Sequence, residues 1–352
     1  MKSLWDHVHW FVTERCNLEC VHCFRPRSCR KEKESELLAI AELIGTKAKK
    51  VSITGGEPTL VKSLPRLLHT FKQKGIYVSL HTNGSGVNRR VSQFQGLVDD
   101  IAVPLDSLDR ETQATLKGTD YLPIALRVIE QIRDSGINLG VHTVFTDLNA
   151  SHMPAMYRHL KKHLDHWNVY EYNPDLVADR FRSCQRFLQV QSLEGTCEYK
   201  NGATDCLFGR FLEMEDKIAK HKDKRVHFVS LRDYRPYVFV DPSGDVYHSL
   251  FFSGSRVKIG NILSQGVEHI DKELAKARAQ GVLFDQEGFL EIQGNLPLFA
   301  RLYEGNYDDQ EVDEVDNRSW PRIARLHDLY IKRFYGKKEL ARARKFDEER
   351  VA

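Results

Sequence analysis

The segment HWFVTERCNLECVHC, residues 9–23, joins a β-rich run to three closely spaced cysteines. Cys16, Cys20 and Cys23 form a C-x3-C-x2-C array, which we call the cysteine triad. Thiols so close in sequence suit metal or iron–sulfur ligation, because such a centre needs several thiolates in one place. With three protein thiolates, a four-iron cluster keeps one iron open to another ligand. A zinc knuckle is the alternative interpretation of the same residues.

Five further β-rich runs follow, and segments with helical periodicity lie between them. The runs are KVSIT at 50–54, IYVSLHT at 76–82, DIAVPLD at 100–106, NLGVHTVFT at 138–146 and WNVYEYN at 167–173. Two of the helical segments end at Gly75 and Gly136, where helix-capping glycines are expected. With the first run, six βα units predict an α/β protein built on a partial (β/α)6 TIM-like barrel. The carboxyl ends of its strands then form the active-site rim.

The pattern changes after about residue 175. RPYVFVDPSGDVYHSLFF, residues 235–252, predicts a β-hairpin that turns at Pro242–Gly244. This part is therefore predicted to be a smaller C-terminal α+β extension, and the end of the chain to be helical with a basic face. The predicted domains are the barrel core at 1–175, the extension at 176–319 and the helical tail at 320–352.

The composition is that of a folded protein without a strong charge bias. Of the 352 residues, 41% are hydrophobic and 29% are charged, and the formal net charge is +3. So small a charge argues against wholesale binding to nucleic acid or to a membrane surface. The sequence has no signal-peptide pattern and no apolar run of about 18 or more residues, so we expect a cytoplasmic protein. Seven cysteines, an odd number, do not fit a secreted disulfide framework.

A glycine-rich element, ITGGEP at 53–58, closes the second β-rich run. Gly55 and Gly56 let the backbone approach a ligand closely, and Glu57 offers a carboxylate to a cationic ammonium group. This element and the cysteine triad, in this order, resemble the radical S-adenosylmethionine (SAM) superfamily, in which a GGEP element receives the amino group of SAM. The resemblance covers about residues 8–175. Its motifs are specific to a superfamily and not to a reaction.

The resemblance implies two cofactors. A [4Fe–4S] cluster is expected on Cys16, Cys20 and Cys23, with S-adenosyl-L-methionine bound to its open iron. HTNG at 81–84 and PLDSLDRET at 104–112 resemble segments that face the methionine and the ribose of SAM. The residues expected to bind SAM, the last two at its ribose, are Gly55, Gly56, Glu57, Pro58, Thr82, Asn83, Asp106 and Ser107.

The C-terminal half resembles one branch of the superfamily, which carries SPASM or twitch extensions with auxiliary iron–sulfur clusters. His22, directly before the third cysteine of the triad, is a variant found in that branch. Val238–Ile262 is similar to the hairpin of those extensions, although Ser249 stands where a cysteine is expected. The resemblance implies an auxiliary cluster at the cysteines of this region, Cys184, Cys197 and Cys206. Three thiols are one short of a fully protein-ligated cubane, so we expect buried structural cysteines at these positions and keep the auxiliary cluster as the alternative.

By resemblance, the protein is an oxidoreductase that forms a 5′-deoxyadenosyl radical and abstracts hydrogen from a substrate at the barrel mouth. A peptide or protein side chain is the first expected substrate, and a nucleoside or sugar derivative is the second. An electron donor such as flavodoxin or ferredoxin is implied. We expect His142, Tyr172 and Asn173 to meet the substrate opposite the triad, with His142 and Tyr172 as catalytic residues. A zinc-binding interaction protein is the alternative from another class.

Overall fold

The computed structural model describes residues 4–23, 31–88, 90–172, 207–230, 238–247, 258–279, 320–334 and 336. The strands in these ranges are β1 (His7–Phe11), β2 (Lys50–Thr54), β3 (Tyr77–His81), β4 (Asp100–Pro104), β5 (Asn138–Phe145), β6 (His166–Glu171), β7 (Val226–Val229), β8 (Val238–Val240), β9 (Asp245–Tyr247) and β10 (Lys258–Asn261). The described helices are α1 (Glu34–Ile44), α2 (Leu64–Gln73), α3 (Arg110–Lys117), α4 (Leu122–Ser135), α5 (Met153–Leu160), α6 (Leu207–Ala219), α7 (Ile262–Gln265), α8 (Val267–Ala279) and α9 (Trp320–Phe334).

The strands form one ten-stranded sheet in the order β10-β9-β8-β1-β2-β3-β4-β5-β6-β7. Strands β1 to β7 are parallel to their neighbours, and helices connect the successive strands β1–β2, β2–β3, β4–β5 and β5–β6. All six predicted strands are present, with bounds that differ by at most two residues. Among the described strands, β7 and β10 do not pair, so the sheet is open. This is the predicted α/β architecture of a partial barrel.

The helix layer covers one face of the sheet because apolar side chains recur at helical spacing. In α2, Leu64, Leu67, Leu68 and Phe71 are buried. The Phe71 ring lies 5.9 Å from the ring of Trp10 on β1, centroid to centroid. Gly75 and Gly136 follow α2 and α4 with φ of +70° and +77°, as predicted for capping glycines. No helix in the described ranges combines the length and apolarity that a membrane crossing requires.

The predicted C-terminal hairpin is part of the same sheet. Strands β8 and β9 are antiparallel, and Gly244 in their turn has φ of +82°. Strand β8 then pairs in parallel with β1 through Val8 and Val238. The hairpin therefore lies directly beside the strand that leads into the cysteine triad. The domain boundaries proposed at 175 and 319 fall outside the described residues and stay predictions.

Alternate residues of the strands place five histidines on the face opposite the helices. We call His7, His9, His81, His142 and His166 the histidine column. Their ring centroids lie 4.4 Å apart for His7 and His9, and 4.7 Å apart for His81 and His142. Burial, together with the nearby Lys50 cation, lowers the pKa of His7 to about 3. Burial likewise lowers the pKa values of His9, His81 and His142 well below the ordinary 6.5, so these rings are neutral.

Gly140 on β5 leaves space for the ring of His166, the last residue of the histidine column. A Cβ atom at this position would lie 2.3 Å from Nε2 of His166. With no side chain there, the imidazole enters the sheet face, and its Nε2 lies 3.4 Å from Oδ2 of Asp100. Burial raises the pKa of the Asp100 carboxyl and lowers that of the His166 ring. A single glycine therefore permits the pairing of these two groups.

We predict that the free energy of unfolding falls as the pH drops below about 6.5. The histidines of the column have lower pKa values in the folded protein than in the unfolded chain. Below about pH 6.5 the unfolded chain therefore binds protons that the folded protein does not. Each such histidine contributes at most about 1.4 kcal/mol per pH unit, down to its folded-state pKa. The double variant His9→Gln/His81→Gln should show a shallower loss between pH 7 and pH 5 in urea unfolding. His69→Gln, at an exposed histidine of α2, is the control, and equal slopes in all three proteins would contradict the prediction.

Candidate active site

The cysteine triad lies in the loop that follows the carboxyl end of β1. None of its three cysteines is in a disulfide, and Cys16 is exposed whereas the other two are partly buried. The amide of Cys23 donates a hydrogen bond to the carbonyl of Cys20 at 3.3 Å, so the second half of the loop is a tight turn. The amide of Leu18 lies 3.4 Å from Sγ of Cys16. The loop therefore presents three thiols at the rim, where the sequence places the cluster.

The donor chemistry of the triad fits an iron–sulfur cubane. Three cysteine thiols outside disulfides are ligands of the type that iron–sulfur clusters use. Within the described ranges, no three His, Cys, Asp or Glu side chains are grouped closely enough to hold one metal ion. A cubane does not require such a group, because each cysteine binds a different iron atom. The triad is thus suited to a multi-iron cluster with its thiols spaced around it.

The GGEP element packs directly against the start of the triad loop. The amides of Gly56 and Glu57 donate to the carbonyls of Thr13 and Arg15, both at 2.7 Å. A Cβ atom on Gly56 would lie 2.0 Å from the Arg15 oxygen. This backbone approach is possible only for glycine. It fixes the carboxyl end of β2 against the residues that precede Cys16.

The Glu57 carboxylate is fully buried and links the ends of β2 and β3. Its Oε1 accepts hydrogen bonds from the hydroxyl of Thr82 at 2.6 Å, the hydroxyl of Thr59 at 2.5 Å and the amide of Thr59 at 3.0 Å. Its Oε2 accepts the amide of Asn83 at 2.7 Å. Burial raises the pKa of Glu57, and these hydrogen bonds oppose the rise. Glu57 thereby positions Thr82 and Asn83, two of the residues expected to bind SAM.

Asn83 connects the end of β3 to the triad loop. Its side-chain amide donates to Oδ1 of Asn17 at 2.7 Å and lies 4.0 Å from Sγ of Cys16. The Asn17 amide in turn donates to the hydroxyl of Ser85 at 2.9 Å. Tyr121 donates its hydroxyl proton to the Asn83 carbonyl. No sequence pattern indicates Asn17, because its role depends on how the two loops meet.

The two predicted ribose contacts are buried and bonded within the protein. Asp106 accepts the amide of Val144 at 2.9 Å, and its Oδ2 lies 2.5 Å from Nζ of Lys117 and 3.8 Å from Nε2 of His22. Burial acts to raise the pKa of Asp106, but the Lys117 cation and the other partners outweigh it and hold that pKa below 3.8. The Ser107 hydroxyl lies 2.7 Å from Nδ1 of His152. Their contact with SAM stays a prediction.

The predicted catalytic residues lie on neighbouring strands. Nε2 of His142 lies 3.2 Å from Nδ2, the side-chain amide nitrogen of Asn168. The centroids of the His142 and Tyr170 rings are 5.3 Å apart. Tyr172 directly follows β6 and is buried, with 4% exposure. Period-two alternation along β6 was the signal that could have added Asn168 to this group. Of the remaining predicted positions, those outside the described residues are Asn173, Cys184, Cys197, Cys206 and Ser249.

Residues 10–160 match the sequence model of the radical SAM superfamily. This stretch, somewhat less than half of the 352-residue chain, is a radical SAM domain. The cofactors of the superfamily are a [4Fe–4S] cluster and SAM, as the sequence predicted. The match includes the cysteine triad and the GGEP element, so the two motifs lie inside the domain that the comparison identifies.

Three curated relatives show how identity is distributed along the chain. Fe-coproporphyrin III synthase of Methanosarcina barkeri is 31% identical over 159 residues, 43% of this chain and 39% of the relative. The S-adenosylmethionine-dependent nucleotide dehydratase of Lacinutrix mariniflava is 27% identical, covering 76% of this chain and 55% of the relative. Mycofactocin maturase MftC of Mycobacterium ulcerans is 24% identical, covering 84% of this chain and 76% of the relative. The chain thus spans less than two thirds of the first two relatives.

Two solved structures share the fold. The enzyme anSMEcpe with bound AdoMet has a TM-score of 0.58 at 16% identity, covering 91% of this chain and 98% of that chain. SuiB of Streptococcus suis, bound to the precursor peptide SuiA, has a TM-score of 0.58 at 14% identity, covering 79% and 66%. The likeness confirms the partial-barrel fold class and extends beyond the radical SAM domain.

We predict that Glu57→Gln weakens SAM binding and lowers stability. The amide nitrogen of glutamine cannot accept a hydrogen bond, so at least one donor among Thr59, Thr82 and Asn83 loses its acceptor in the interior. Such a loss costs about 1–3 kcal/mol. Anaerobic equilibrium binding of SAM and thermal unfolding measure the two effects, with iron content near that of the wild type.

The matched control is Glu130→Gln, the same exchange at an exposed glutamate of α4. It should change neither quantity by a measurable amount, because its carboxylate is solvated. If Glu57→Gln binds SAM as tightly as the control does, Glu57 does not shape the SAM site.

Proposed function

We propose that the protein is a radical SAM enzyme that abstracts hydrogen from a peptide or protein side chain. Cys16, Cys20 and Cys23 would hold the [4Fe–4S] cluster, which would supply the electron for reductive cleavage of bound SAM and so the means of removing hydrogen from the substrate. The protein contributes binding, orientation and the exclusion of water.

The observation that carries this proposal is the convergence of two strand ends, those of β2 and β3, on the triad loop that follows β1. The amide of Glu57, at the end of β2, donates to the Arg15 carbonyl directly before the first triad cysteine. The side chain of Asn83, at the end of β3, donates to Asn17 directly after it. A loop held on both sides of Cys16 keeps its thiol in a fixed place, which a cluster with one open iron requires.

The peptide substrate is supported by the span of the similarity. The alignment with mycofactocin maturase covers most of both chains and continues past the radical SAM domain. The fold is also shared with SuiB, whose structure contains a precursor peptide. We expect the substrate to meet the later strands and the region beyond them. Sequence similarity in that part of the chain therefore says more about the substrate than similarity in the cofactor motifs.

A nucleotide is the second candidate substrate, and a specific similarity favours it. The nucleotide dehydratase aligns with 76% of this chain, at a slightly higher identity than the maturase. Fold and motifs do not separate the two, because the cofactor chemistry is common to both.

On the substrate side we place His142 and Tyr172. Burial keeps the His142 ring neutral, and its neighbour Asn168 orients it, so the ring can hydrogen-bond a polar group of the substrate. Tyr172 can donate a proton or a hydrogen atom after abstraction. The electron reaches the cluster from a donor of the flavodoxin or ferredoxin class. Closely spaced cysteines that ligate a cluster suit a reducing compartment such as the cytoplasm.

We predict that Cys20→Ala abolishes reductive SAM cleavage, because two thiolates do not hold a cubane. Anaerobically reconstituted protein is reduced with dithionite, and 5′-deoxyadenosine is measured by chromatography. Cys29→Ala is the matched control, since Cys29 follows in the same segment but lies outside the triad spacing. It should cleave SAM at the wild-type rate. Normal cleavage by Cys20→Ala would refute the cluster assignment.

The substrate class is tested by deuterium transfer. We predict that a candidate peptide deuterated in its side chains transfers deuterium to 5′-deoxyadenosine, and that ribose-deuterated nucleoside triphosphates do not. Mass spectrometry of 5′-deoxyadenosine provides the measurement, and the Cys20→Ala protein gives the background. Deuterium from the nucleotides alone would replace the peptide by the second candidate.

A further inference from the structure

The carboxyl end of α3 packs against the middle of the triad loop. The amide of Val21, directly after Cys20, donates to the carbonyl of Leu116 at 3.1 Å. Gly118 ends the helix with φ of +72°, and a Cβ atom there would lie 2.8 Å from the carbonyl oxygen of Glu19, directly before Cys20. The two residues that flank Lys117 thus contact the two residues that flank Cys20.

The Lys117 side chain is buried in this contact, and full burial is rare for lysine. Its side chain is 2% exposed, and Nζ lies 2.5 Å from Oδ2 of Asp106, whose side chain is 1% exposed. Placing two charges out of water is costly, and a pair of apolar residues in the same space is often as stable. A pair retained at such a position, against a cluster loop, calls for an explanation beyond stability.

The side chains of the pair also lie against the triad loop. Oδ2 of Asp106 is 3.8 Å from Nε2 of His22, which directly precedes Cys23. Held against the Asp106 carboxylate, the Lys117 ammonium keeps its charge. Lys117 therefore places a fixed cation next to the loop that carries Cys20 and Cys23.

We propose that Lys117 is a positioning residue that sets the reduction potential of the [4Fe–4S] cluster, with Asp106 moderating its charge. The inference rests on the proposed function. Reduction of the cluster by one electron, from dithionite or a donor protein, adds one negative charge at the triad. A fixed cation in a poorly hydrated place stabilises the reduced state, because little water screens it. Lys117 thereby makes the cluster easier to reduce.

The test is an anaerobic potentiometric titration without SAM, so that contacts of Asp106 with SAM do not enter. The reduced cluster is followed by electron paramagnetic resonance, using the signal that Cys20→Ala lacks. Lys117→Met leaves the Asp106 carboxylate unpaired, and we expect a shift to more negative potential. Lys117→Arg keeps the charge and should stay near the wild type.

Two further variants determine the sign of the effect. Asp106→Asn leaves the lysine cation unopposed and should shift the potential to more positive values. The double variant Lys117→Met/Asp106→Asn removes both charges and should fall between the two single variants. Lys72→Met is the matched control. Lys72 pairs with Asp99, with 2.8 Å between Nζ and Oδ1. Asp99 precedes β4 whereas Asp106 follows it, so the Lys72–Asp99 pair lies at the opposite end of that strand from the triad.

The outcomes separate this inference from the proposed function. If Lys117→Met and Asp106→Asn both hold the cluster and titrate at the wild-type potential, the inference is overturned while the radical SAM assignment stands. A wild-type protein that binds no cluster overturns both. If Lys117→Met does not fold, the positive shift of Asp106→Asn relative to Lys72→Met decides the question alone.

Discussion

The approach of the Gly56 backbone to the Arg15 carbonyl is the contact on which the rest of the site depends. It needs a residue without a Cβ atom, and it fixes the end of β2 against the loop that follows β1. Glu57, the next residue, is then buried where its two oxygens reach the end of β3. Through Asn83, the end of β3 returns to the triad loop. One steric requirement in the chain thus couples three strand ends.

Buried ionisable groups are accommodated in two different ways in this fold. On the sheet face opposite the helices, where the His81 and His142 rings meet edge to face, burial favours the neutral imidazole, and Nε2 of His81 lies 3.2 Å from the Ser79 hydroxyl oxygen. At the rim, Lys117 and Asp106 keep their charges and pair. The difference follows from their ordinary pKa values, since a histidine loses its proton at small cost and a lysine does not. Charge is therefore concentrated where the cofactors are expected.

The sequence is sufficient to predict what depends on local pattern. The six core strands follow from period-two and helical alternation, and Gly136 caps its helix as its position indicates. The motifs likewise identify the triad and the GGEP element, because each is contiguous. The partner of Asp106 was not predictable: a lysine in the last turn of a helix is common, and only the packing of α3 turns it inward. The pairing of β8 with β1 has no local signature either, because it joins residues far apart in the chain.

That pairing has a consequence for how the protein is made. Strand β1 lies inside the sheet, between β2 and β8, yet β8 begins only at Val238. As the chain leaves the ribosome, one edge of β1 exposes unpaired amides and carbonyls until more than two thirds of the chain has been synthesised. Such an edge can pair with other chains, and contacts of long sequence separation form slowly. The strand next to the cluster loop is therefore the segment most in need of protection during synthesis, and cluster insertion is best timed after its second edge has closed.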